Sequence, residues 1–337
     1  MPASFRPPLS ALLRSPDIWT LMTPATTRLS IDGGQTGTRL RLSDSRGILT
    51  ETEGPGVLTD RPVVDQLTEF AAQLATATGH RIDELAVGTS GLTPAAANPE
   101  ALLAATRDLG VQRVALAHDS ITGYLAANGT EPGVMLAVGT GVVVLALSES
   151  SVAKVDGWGS LLGDAGSGYW IGRAGLDAAL RAFDGRAPHT SLEARAVERF
   201  GPLDEVYMVV QASPKRVSLI ASFCRDVVDA ATAGDETANG IIAAAAGELA
   251  HSAASALTSV GWQAGQPARV GAVGALATRA APVRNALAAA LAARAPGATL
   301  AEPLGRPLDG VQALLDLAAL RPLSPFVYRA RVASNSN

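Results

Sequence analysis

The stretch that decides the fold is residues 27–43, TRLSIDGGQTGTRLRLS. Apolar and polar residues alternate on both sides of a glycine-rich centre, Asp32-Gly33-Gly34-Gln35-Thr36-Gly37-Thr38, and this pattern predicts a β-hairpin with a glycine-rich tip. A third short strand near Gly47 to Glu51 would complete an antiparallel meander. The folded part of the chain is therefore expected to begin as a small sheet.

The same arrangement returns in the second half of the chain. Residues 133–138 are an apolar run, Gly139-Thr140-Gly141 is a small-residue tip, and residues 142–147 are apolar again, which indicates an internal duplication. Elsewhere strands alternate with helical patterns, as in mixed sheets with helices packed on them. We expect strands at 84–89, 113–117 and 267–273, helices within 63–78, 95–109, 192–211, 214–232, 235–260, 282–293 and 308–320, and a frayed tail beyond Pro322.

Length and composition indicate a two-domain globular protein. The chain has 337 residues, and a domain usually takes roughly 100 to 200. Hydrophobic residues make up 47% and charged residues 17%, so a substantial core can be buried. The net charge of -4, with arginines scattered and Lys154 and Lys215 as the only lysines, argues against a nucleic-acid partner.

Cysteine and histidine usage limits the metal and redox chemistry. Cys224 is the only cysteine, which excludes an internal disulfide and a multi-thiolate site within one chain, and fits a reducing, cytoplasmic location. The four histidines show no paired ligand spacing. No charge-free run of about 20 apolar residues predicts a membrane span. Residues 1–26 are expected to be a disordered or additional segment, with Met22 as a plausible start.

Both glycine-rich tips could bind an anion. Glycines let backbone N–H groups converge because no Cβ blocks the approach, threonine hydroxyls add donors, and Asp32 could hold a magnesium ion through its waters. For the first tip, residues 32–38, the alternative is an ordinary tight turn. Gly139-Thr140-Gly141 alone is weaker evidence for anion binding, but it is the counterpart of the first tip. Two such tips facing each other could hold a polyphosphate.

Asp119 follows an apolar strand and precedes a predicted helix, Ser120 to Ala127. A carboxylate at the carboxyl end of a strand stands where α/β sheets place ligands, so it is a candidate general base. The alternative is a helix N-cap, a frequent role of aspartate at such a position.

Residues 157–172, GWGSLLGDAGSGYWIG, contain many glycines with Trp158, Tyr169, Trp170 and the lone carboxylate Asp164. Aromatic rings and a carboxylate over open backbone suit a sugar, whereas the alternative is a loop that supports the sheet. Gly271 to Leu276 places small residues where a strand turns into a helix. A flat ring could lie on that backbone, or the helix could simply pack closely on the strand.

In this order the segments resemble the sugar kinase, Hsp70 and actin ATPase superfamily, and within it the N-acetylglucosamine kinase and BadF-type ATPase family. The resemblance covers about Arg28 to Leu320. Residues 32–38 are similar to the phosphate-1 loop, residues 139–141 to phosphate-2 and residues 271–276 to the adenosine motif. The most specific match is residues 157–172, which are similar to the family's Gly-Trp-Gly…Gly-Asp-Glu-Gly-Ser…Tyr-Trp-Ile block.

The resemblance implies a fold and a domain organisation. The fold is α/β, a two-domain actin-like ATPase (ribonuclease H-like) architecture with mixed five-stranded sheets, flanking helices and an interdomain cleft. The N-terminal domain would span residues 27–130, joined by a C-terminal helix at about 307–322, and the C-terminal domain residues 131–306. A homodimer is expected.

The resemblance also implies an activity, in which ATP and Mg²⁺ are used to phosphorylate the 6-hydroxyl of an amino sugar. The sugar expected first is N-acetylglucosamine. Asp119 would be the catalytic base and Asp32 the metal ligand. ATP would contact Gly33, Gly34, Gln35, Thr36, Thr38, Thr140, Gly141, Ala221, Gly274 and Ala275. The sugar would contact Ser90, Gly91, Asp119, Gly141, Gly157, Trp158 and Asp164.

The sequence departs from the family pattern around the sugar. Val142 and Val143 stand where the family's kinases often have serine and asparagine, Ala165 replaces a glutamate, and Val57 lies in a loop that lacks the family's asparagine. Glucosamine or another hexose is therefore an alternative substrate. A silent sugar-binding and ATP-binding regulator is another alternative. An iron–sulfur activator ATPase is disfavoured because Cys224 is alone.

Overall fold

A computed structural model describes residues 25–34, 37–58, 60–316 and 321–333. Its first sheet contains β1 (Arg28–Gly33), β2 (Thr38–Asp44), β3 (Gly47–Gly54), β4 (Glu84–Thr89), β5 (Arg113–His118) and β11 (Val327–Arg331). Its second sheet contains β6 (Gly133–Val138), β7 (Val142–Leu147), β8 (Val152–Val155), β9 (Ala268–Val273) and β10 (Ala298–Ala301).

The two sheets repeat one topology. In the first, β1, β2 and β3 form an antiparallel meander, β4 pairs parallel with β1, and β5 pairs parallel with β4. In the second, β6, β7 and β8 form the meander, β9 pairs parallel with β6, and β10 pairs parallel with β9. The predicted hairpins and the predicted α/β class with mixed sheets are confirmed.

Helices cover both sheets. They are α1 (Val63–Thr78), α2 (Pro99–Ala105), α3 (Asp119–Asn128), α4 (Gly168–Phe183), α5 (Leu192–Phe200), α6 (Val206–Ala212), α7 (Arg216–Ser222), α8 (Cys224–Thr232), α9 (Glu236–Ser259), α10 (Ala275–Arg279), α11 (Ala281–Arg294) and α12 (Pro307–Gln312). Short 3₁₀ turns lie at Arg107–Leu109, Ala313–Leu315 and Ser324–Phe326. By length and composition α9 could cross a membrane, but half of its apolar window is buried in the fold.

Helix α3 joins the two halves of the molecule. It follows β5 of the first sheet and packs against β6 and β9 of the second. Its Tyr124 is fully buried in one apolar cluster with Ala117 of the first sheet and Met135 and Leu145 of the second. The start of α3 is thereby held at the junction of the sheets, where its first residue, Asp119, can face both.

The chain passes between the halves twice, at residues 129–132 and again at residues 302–306. The second passage lies against the end of α3, directly before the first passage, because the N–H groups of Leu304 and Gly305 donate to the carbonyls of Ala127 and Ala126 at 3.2 and 2.9 Å. The second passage leads into α12, which packs on α3.

The end of the chain differs from the prediction. The tail beyond Pro322 is not frayed throughout, because β11 pairs antiparallel with β5 and makes the first sheet six-stranded rather than five-stranded. Val327 is buried in the core shared by both halves, which explains why so short a strand forms. The helix predicted over 308–320 ends at Gln312 and continues as a 3₁₀ turn to Leu315. Residues 317–320, and most of the predicted 1–26 segment, lie outside the described residues.

Candidate active site

A cleft of about 610 Å³ opens between the two sheets. Its lining comes from both halves: Ser90, His118 and Asp119 from the first, and Ala137, Gly139, Thr140, Gly141, Val142, Val143, Lys154, Gly157, Gly159, Ser160, Asp164, Val217 and Ser218 from the second. The cleft therefore brings Asp119 together with the second tip and with the glycine-rich loop that follows β8.

The second tip presents backbone N–H groups. The carbonyls of Gly139 and Thr140 accept hydrogen bonds from Gly168 and Tyr169, at 2.8 and 3.0 Å, and this fixes the tip on the first turn of α4. The N–H groups of Thr140 and Gly141 donate to no backbone carbonyl in the described part of the chain. Free donors on a fixed tip, beside a helix N-terminus, are suited to binding an anion.

Asp164 lies directly against this tip. Its Oδ1 accepts a hydrogen bond from the Val142 N–H at 3.2 Å, and a Cβ added to Gly141 would stand only 2.7 Å from its Oδ2. The residue is 7% exposed. Burial raises the pKa of the Asp164 carboxyl, the nearby Asp156 raises it further, and the Val142 hydrogen bond lowers it. This carboxylate is placed to accept hydrogen bonds from a ligand in the cleft.

Asp156, which the sequence analysis did not single out, shapes the loop that carries Asp164. Its Oδ1 accepts the N–H groups of Gly157 and Asp164, at 2.7 and 2.9 Å, and its Oδ2 accepts that of Ala165 at 3.1 Å. Asp156 and Asp164 both have φ near 58°, a left-handed conformation that aspartate tolerates better than most residues. The only sequence signal was an aspartate directly before Gly-Trp-Gly.

The structure distinguishes between the two interpretations of Asp119. The residue that caps α3 is His118, whose Nδ1 accepts the Ser120 N–H at 3.1 Å. Asp119 is the first helical residue, and its side chain is 37% exposed. Because another side chain fills the capping role, the Asp119 carboxylate is available to the cleft.

Asp32, at the end of β1, contacts the guanidinium of Arg39 at 3.3 Å. Burial raises the pKa of the Asp32 carboxyl, Arg39 lowers it, and the negative charge of Asp119 raises it. Among the residues that the structure describes, no three His, Cys, Asp or Glu side chains gather into a metal site. A magnesium ion that keeps its waters needs only one or two carboxylates besides phosphate oxygens, so the oxygen ligands at Asp32 fit Mg²⁺.

The first tip is only partly described, since Gln35 and Thr36 lie outside the described residues. The Gly34 N–H donates to the Gly37 carbonyl at 3.0 Å, and the Gly34 carbonyl accepts from Val57. Thr38 pairs with Gly33, and its side chain is 1% exposed, with a hydroxyl that has no partner among the described residues. It shares the sheet face of Leu40, away from Asp32, so only its backbone N–H could serve a phosphate.

Several predicted contact residues stand outside the cleft lining: Gly33, Gly34, Gly91, Trp158, Ala221, Gly274 and Ala275. Trp158 is 75% exposed. Helix α7 reaches the cleft through Val217 and Ser218 instead of Ala221. A Cβ on Gly274 would stand 2.1 Å from the Val138 carbonyl oxygen, so close packing already explains that glycine.

Lys154 is a cleft residue that the sequence analysis did not assign. It pairs with Leu145 across β7 and β8, so its side chain lies on the sheet face that points to the first half. Its ammonium has no hydrogen bond or ion pair within the described ranges. A Cβ on Gly157 would meet both Lys154 Cε and Val143 Cγ2 at 3.2 Å, which places this cation beside the apolar position that departs from the family pattern.

Two sheets of one topology around a common cleft define an actin-like fold of the sugar kinase kind, and solved structures agree. A candidate N-acetylglucosamine kinase from Chromobacterium violaceum aligns with a TM-score of 0.64 at 23% identity, over 86% of this chain and 99% of that one. Another, from Porphyromonas gingivalis, gives a TM-score of 0.67 at 19% identity, over 86% and 98%. The predicted fold class is confirmed.

Sequence comparison then identifies the family. The chain belongs to the BadF/BadG/BcrA/BcrD ATPase family, whose profile matches residues 29–312. The N-acetylmuramic acid/N-acetylglucosamine kinase of Clostridium acetobutylicum is 27% identical over 233 residues, which are 66% of this chain and 76% of that protein. The resemblance drawn from the motifs is confirmed.

Proposed function

We propose that this protein transfers the γ-phosphoryl group of ATP to the 6-hydroxyl of an amino sugar. The first candidate substrate is N-acetylglucosamine. The observation that carries the proposal is Asp119. Its carboxylate is free of the helix cap and lines the same cleft as the Thr140-Gly141 tip and Asp164. A base, an anion-binding backbone and a buried carboxylate in one cleft are the parts that sugar phosphorylation requires.

The polyphosphate of ATP would lie against the N–H groups of Thr140 and Gly141, with the first tip on the opposite side. Asp32 would hold the magnesium ion, which when bound neutralises phosphate charge. The chain's own contribution is mainly to position the reactants and to stabilise charge. Because α7 lines the cleft through Val217 and Ser218, this helix would contribute to nucleotide binding.

The sugar would lie between Asp119 and Asp164, with Ser90, Gly141 and Gly157 around it. Asp164 would accept hydrogen bonds from sugar hydroxyls, and Asp119 would accept the proton of the attacking hydroxyl. The hydroxyl oxygen forms a bond to the γ-phosphorus while the bond from this phosphorus to the bridging oxygen of ADP breaks. The proton moves to the Asp119 carboxylate, so charge and atoms balance.

A specific observation favours a second substrate, an amino sugar that carries a carboxylate. Lys154, whose cation has no partner among the described residues, lines the cleft beside Val143, and such a group would bind the lactyl carboxylate of N-acetylmuramic acid. The clostridial relative is named for both sugars. We propose N-acetylmuramic acid as the second substrate, ahead of glucosamine and glucose, which lack that charge.

A coupled assay of ADP release tests these proposals, with N-acetylglucosamine, N-acetylmuramic acid, glucosamine and glucose compared in the presence and absence of Mg²⁺. Phosphorus and proton NMR of the product locate the new phosphoester. We expect magnesium-dependent turnover of the first two sugars and a 6-phosphate. If no sugar raises ADP release above the rate with ATP alone, the kinase proposal is wrong and the silent-regulator alternative is favoured.

A further inference from the structure

Three polar groups converge on one ring nitrogen at the start of α3. The Nδ1 atom of His118 lies 3.1 Å from the Ser120 amide nitrogen, 2.9 Å from Ser120 Oγ and 2.9 Å from Asp119 Oδ1. His118 and Asp119 both line the cleft. A single nitrogen with one lone pair cannot satisfy all three neighbours in any one protonation state, and this restricts where protons can reside.

The amide contact determines the protonation of the ring. Because the Ser120 N–H donates to Nδ1, that nitrogen carries a lone pair, and the neutral ring bears its proton on Nε2. At 2.9 Å, the lone pair of Nδ1 and an ionised Asp119 oxygen repel each other. If Asp119 is protonated, its O–H can instead donate to Nδ1. The contact is therefore repulsive before Asp119 accepts a proton and becomes a hydrogen bond afterwards.

We propose that His118 is a positioning residue that strengthens Asp119 as a base, an inference that rests on the proposed function. When the sugar hydroxyl gives its proton to Asp119, the new carboxylic acid donates a hydrogen bond to Nδ1 of the neutral imidazole. No other reactant is needed, since the proton lost by the sugar is the one shared by Asp119 and His118. In that state the lone pair of Nδ1 is shared between the Asp119 O–H and the Ser120 N–H that begins α3.

A protonated imidazole would have the opposite effect. Its Nδ1–H would donate to the Asp119 carboxylate, hold it ionised and leave the Ser120 N–H without its acceptor. The other charged groups around the pair are Asp32 at the end of β1 and, across the cleft, Lys154 and Asp164. A protonated ring would therefore oppose the transfer of the sugar proton to Asp119.

A purely structural role for His118, as a helix cap, is the competing explanation. His118→Asn separates the two, because asparagine is a strong N-cap, but its amide oxygen is much less basic than an imidazole nitrogen and stabilises a protonated Asp119 less. We expect wild-type thermal stability, kcat lower by about 10- to 100-fold and KM nearly unchanged. The acid limb of the pH dependence of kcat/KM should move to lower pH. Ser120→Ala keeps His118 and the capped N–H and removes only the hydroxyl 2.9 Å from Nδ1, so its loss of kcat should be smaller than that of His118→Asn.

Activity and ring protonation are measured on the same protein. If Asp119→Asn is inactive while His118→Asn has the rate and pH profile of wild type, His118 is only a cap and the inference is overturned, although the proposed function stands. If the wild type phosphorylates no sugar, the proposed function fails instead. Nitrogen-15 NMR of the resting full-length chain at neutral pH needs no turnover: we expect Nδ1 of His118 to be unprotonated, and a proton on Nδ1 would overturn the inference by itself.

Discussion

The two halves of the molecule share a topology but hold their carboxylates differently. In the first half, Asp32 contacts one guanidinium at 3.3 Å, and the only polar contact of the Asp119 carboxylate with another described residue is to a histidine ring nitrogen. In the second half, Asp164 and Asp156 accept hydrogen bonds from backbone N–H groups. Side-chain contacts can be exchanged during a reaction, whereas backbone contacts fix a position. We therefore propose that the first half supplies the proton and metal chemistry and the second half the shape of the site.

The largest effect is expected from Asp119→Asn. Asparagine keeps the size of the side chain but cannot take the sugar proton, so kcat should fall by about 10³-fold or more, while the affinities for ATP and sugar change little. Steady-state kinetics and calorimetric titration with a non-hydrolysable ATP analogue measure the two quantities. A parallel loss of binding would contradict the assignment of chemistry to the first half.

A glycine pair tests whether the second half acts through shape. Gly141→Ala would bring a Cβ to 2.7 Å from Asp164 Oδ2, whereas a Cβ on Gly139 meets nothing within 4 Å. We expect Gly141→Ala to lower kcat/KM by about 100-fold, since a misplacement of about 1 Å can cost that much. Gly139→Ala is the matched control and should remain close to wild type. Equal losses in both variants would show that the tip tolerates no side chain at all.

Lys154→Met tests whether a side-chain charge in the second half selects between sugars. It removes the cation but keeps a long apolar chain, so KM for N-acetylmuramic acid should rise about tenfold and KM for N-acetylglucosamine should change little. Lys215→Met, at the only other lysine, is the control. A similar change for both sugars would place Lys154 outside any carboxylate site.

Asp164→Asn should weaken the site and yet stabilise the fold. Burial raises the pKa of Asp164, so the ionised carboxylate is disfavoured in the folded state, and its contribution to stability is lost as pH rises through the folded pKa. At pH 7 the variant should therefore unfold at a higher temperature than the wild type, while KM for the sugar rises about tenfold. The stability difference should shrink as the pH is lowered.

Asp156→Asn is the control for that experiment. The carboxylate of Asp156 accepts three backbone N–H groups through its two oxygens, and an amide would turn an NH₂ group toward one of them. This variant should lose stability at pH 7, in contrast to Asp164→Asn. Thermal unfolding of the three proteins at two pH values is sufficient. Stabilisation of both variants would show that burial, not backbone hydrogen bonding, dominates this loop.

Much of the fold could be predicted from the sequence because local patterns determine it. The strand alternation on both sides of the glycine-rich tips specifies two hairpins, and Asp119 follows a strand that is visibly apolar. In contrast, β11 is a five-residue strand that depends on contacts with β5, more than two hundred positions away in the sequence. Short strands of this kind carry little local signal.

The site was less predictable, because orientation is decided by tertiary structure. Nothing local shows that Thr38 faces the helix side of the sheet, since a register change of one residue would reverse it. The exposed ring of Trp158 depends on the path of a glycine-rich loop, which sequence pattern does not specify. His118 and Asp156 accept backbone N–H groups within nine residues along the chain, but a histidine or aspartate in these roles carries no chemical motif that distinguishes it in the sequence.

The two passages between the halves have a mechanical consequence. The hydrogen bonds of Leu304 and Gly305 hold the second passage at the end of α3, where the first passage begins, so we expect any relative rotation of the halves to pivot at this one place. Asp119 and the Thr140-Gly141 tip lie on opposite sides of the cleft. A small rotation at this pivot would therefore change the distance between Asp119 and the Thr140-Gly141 tip.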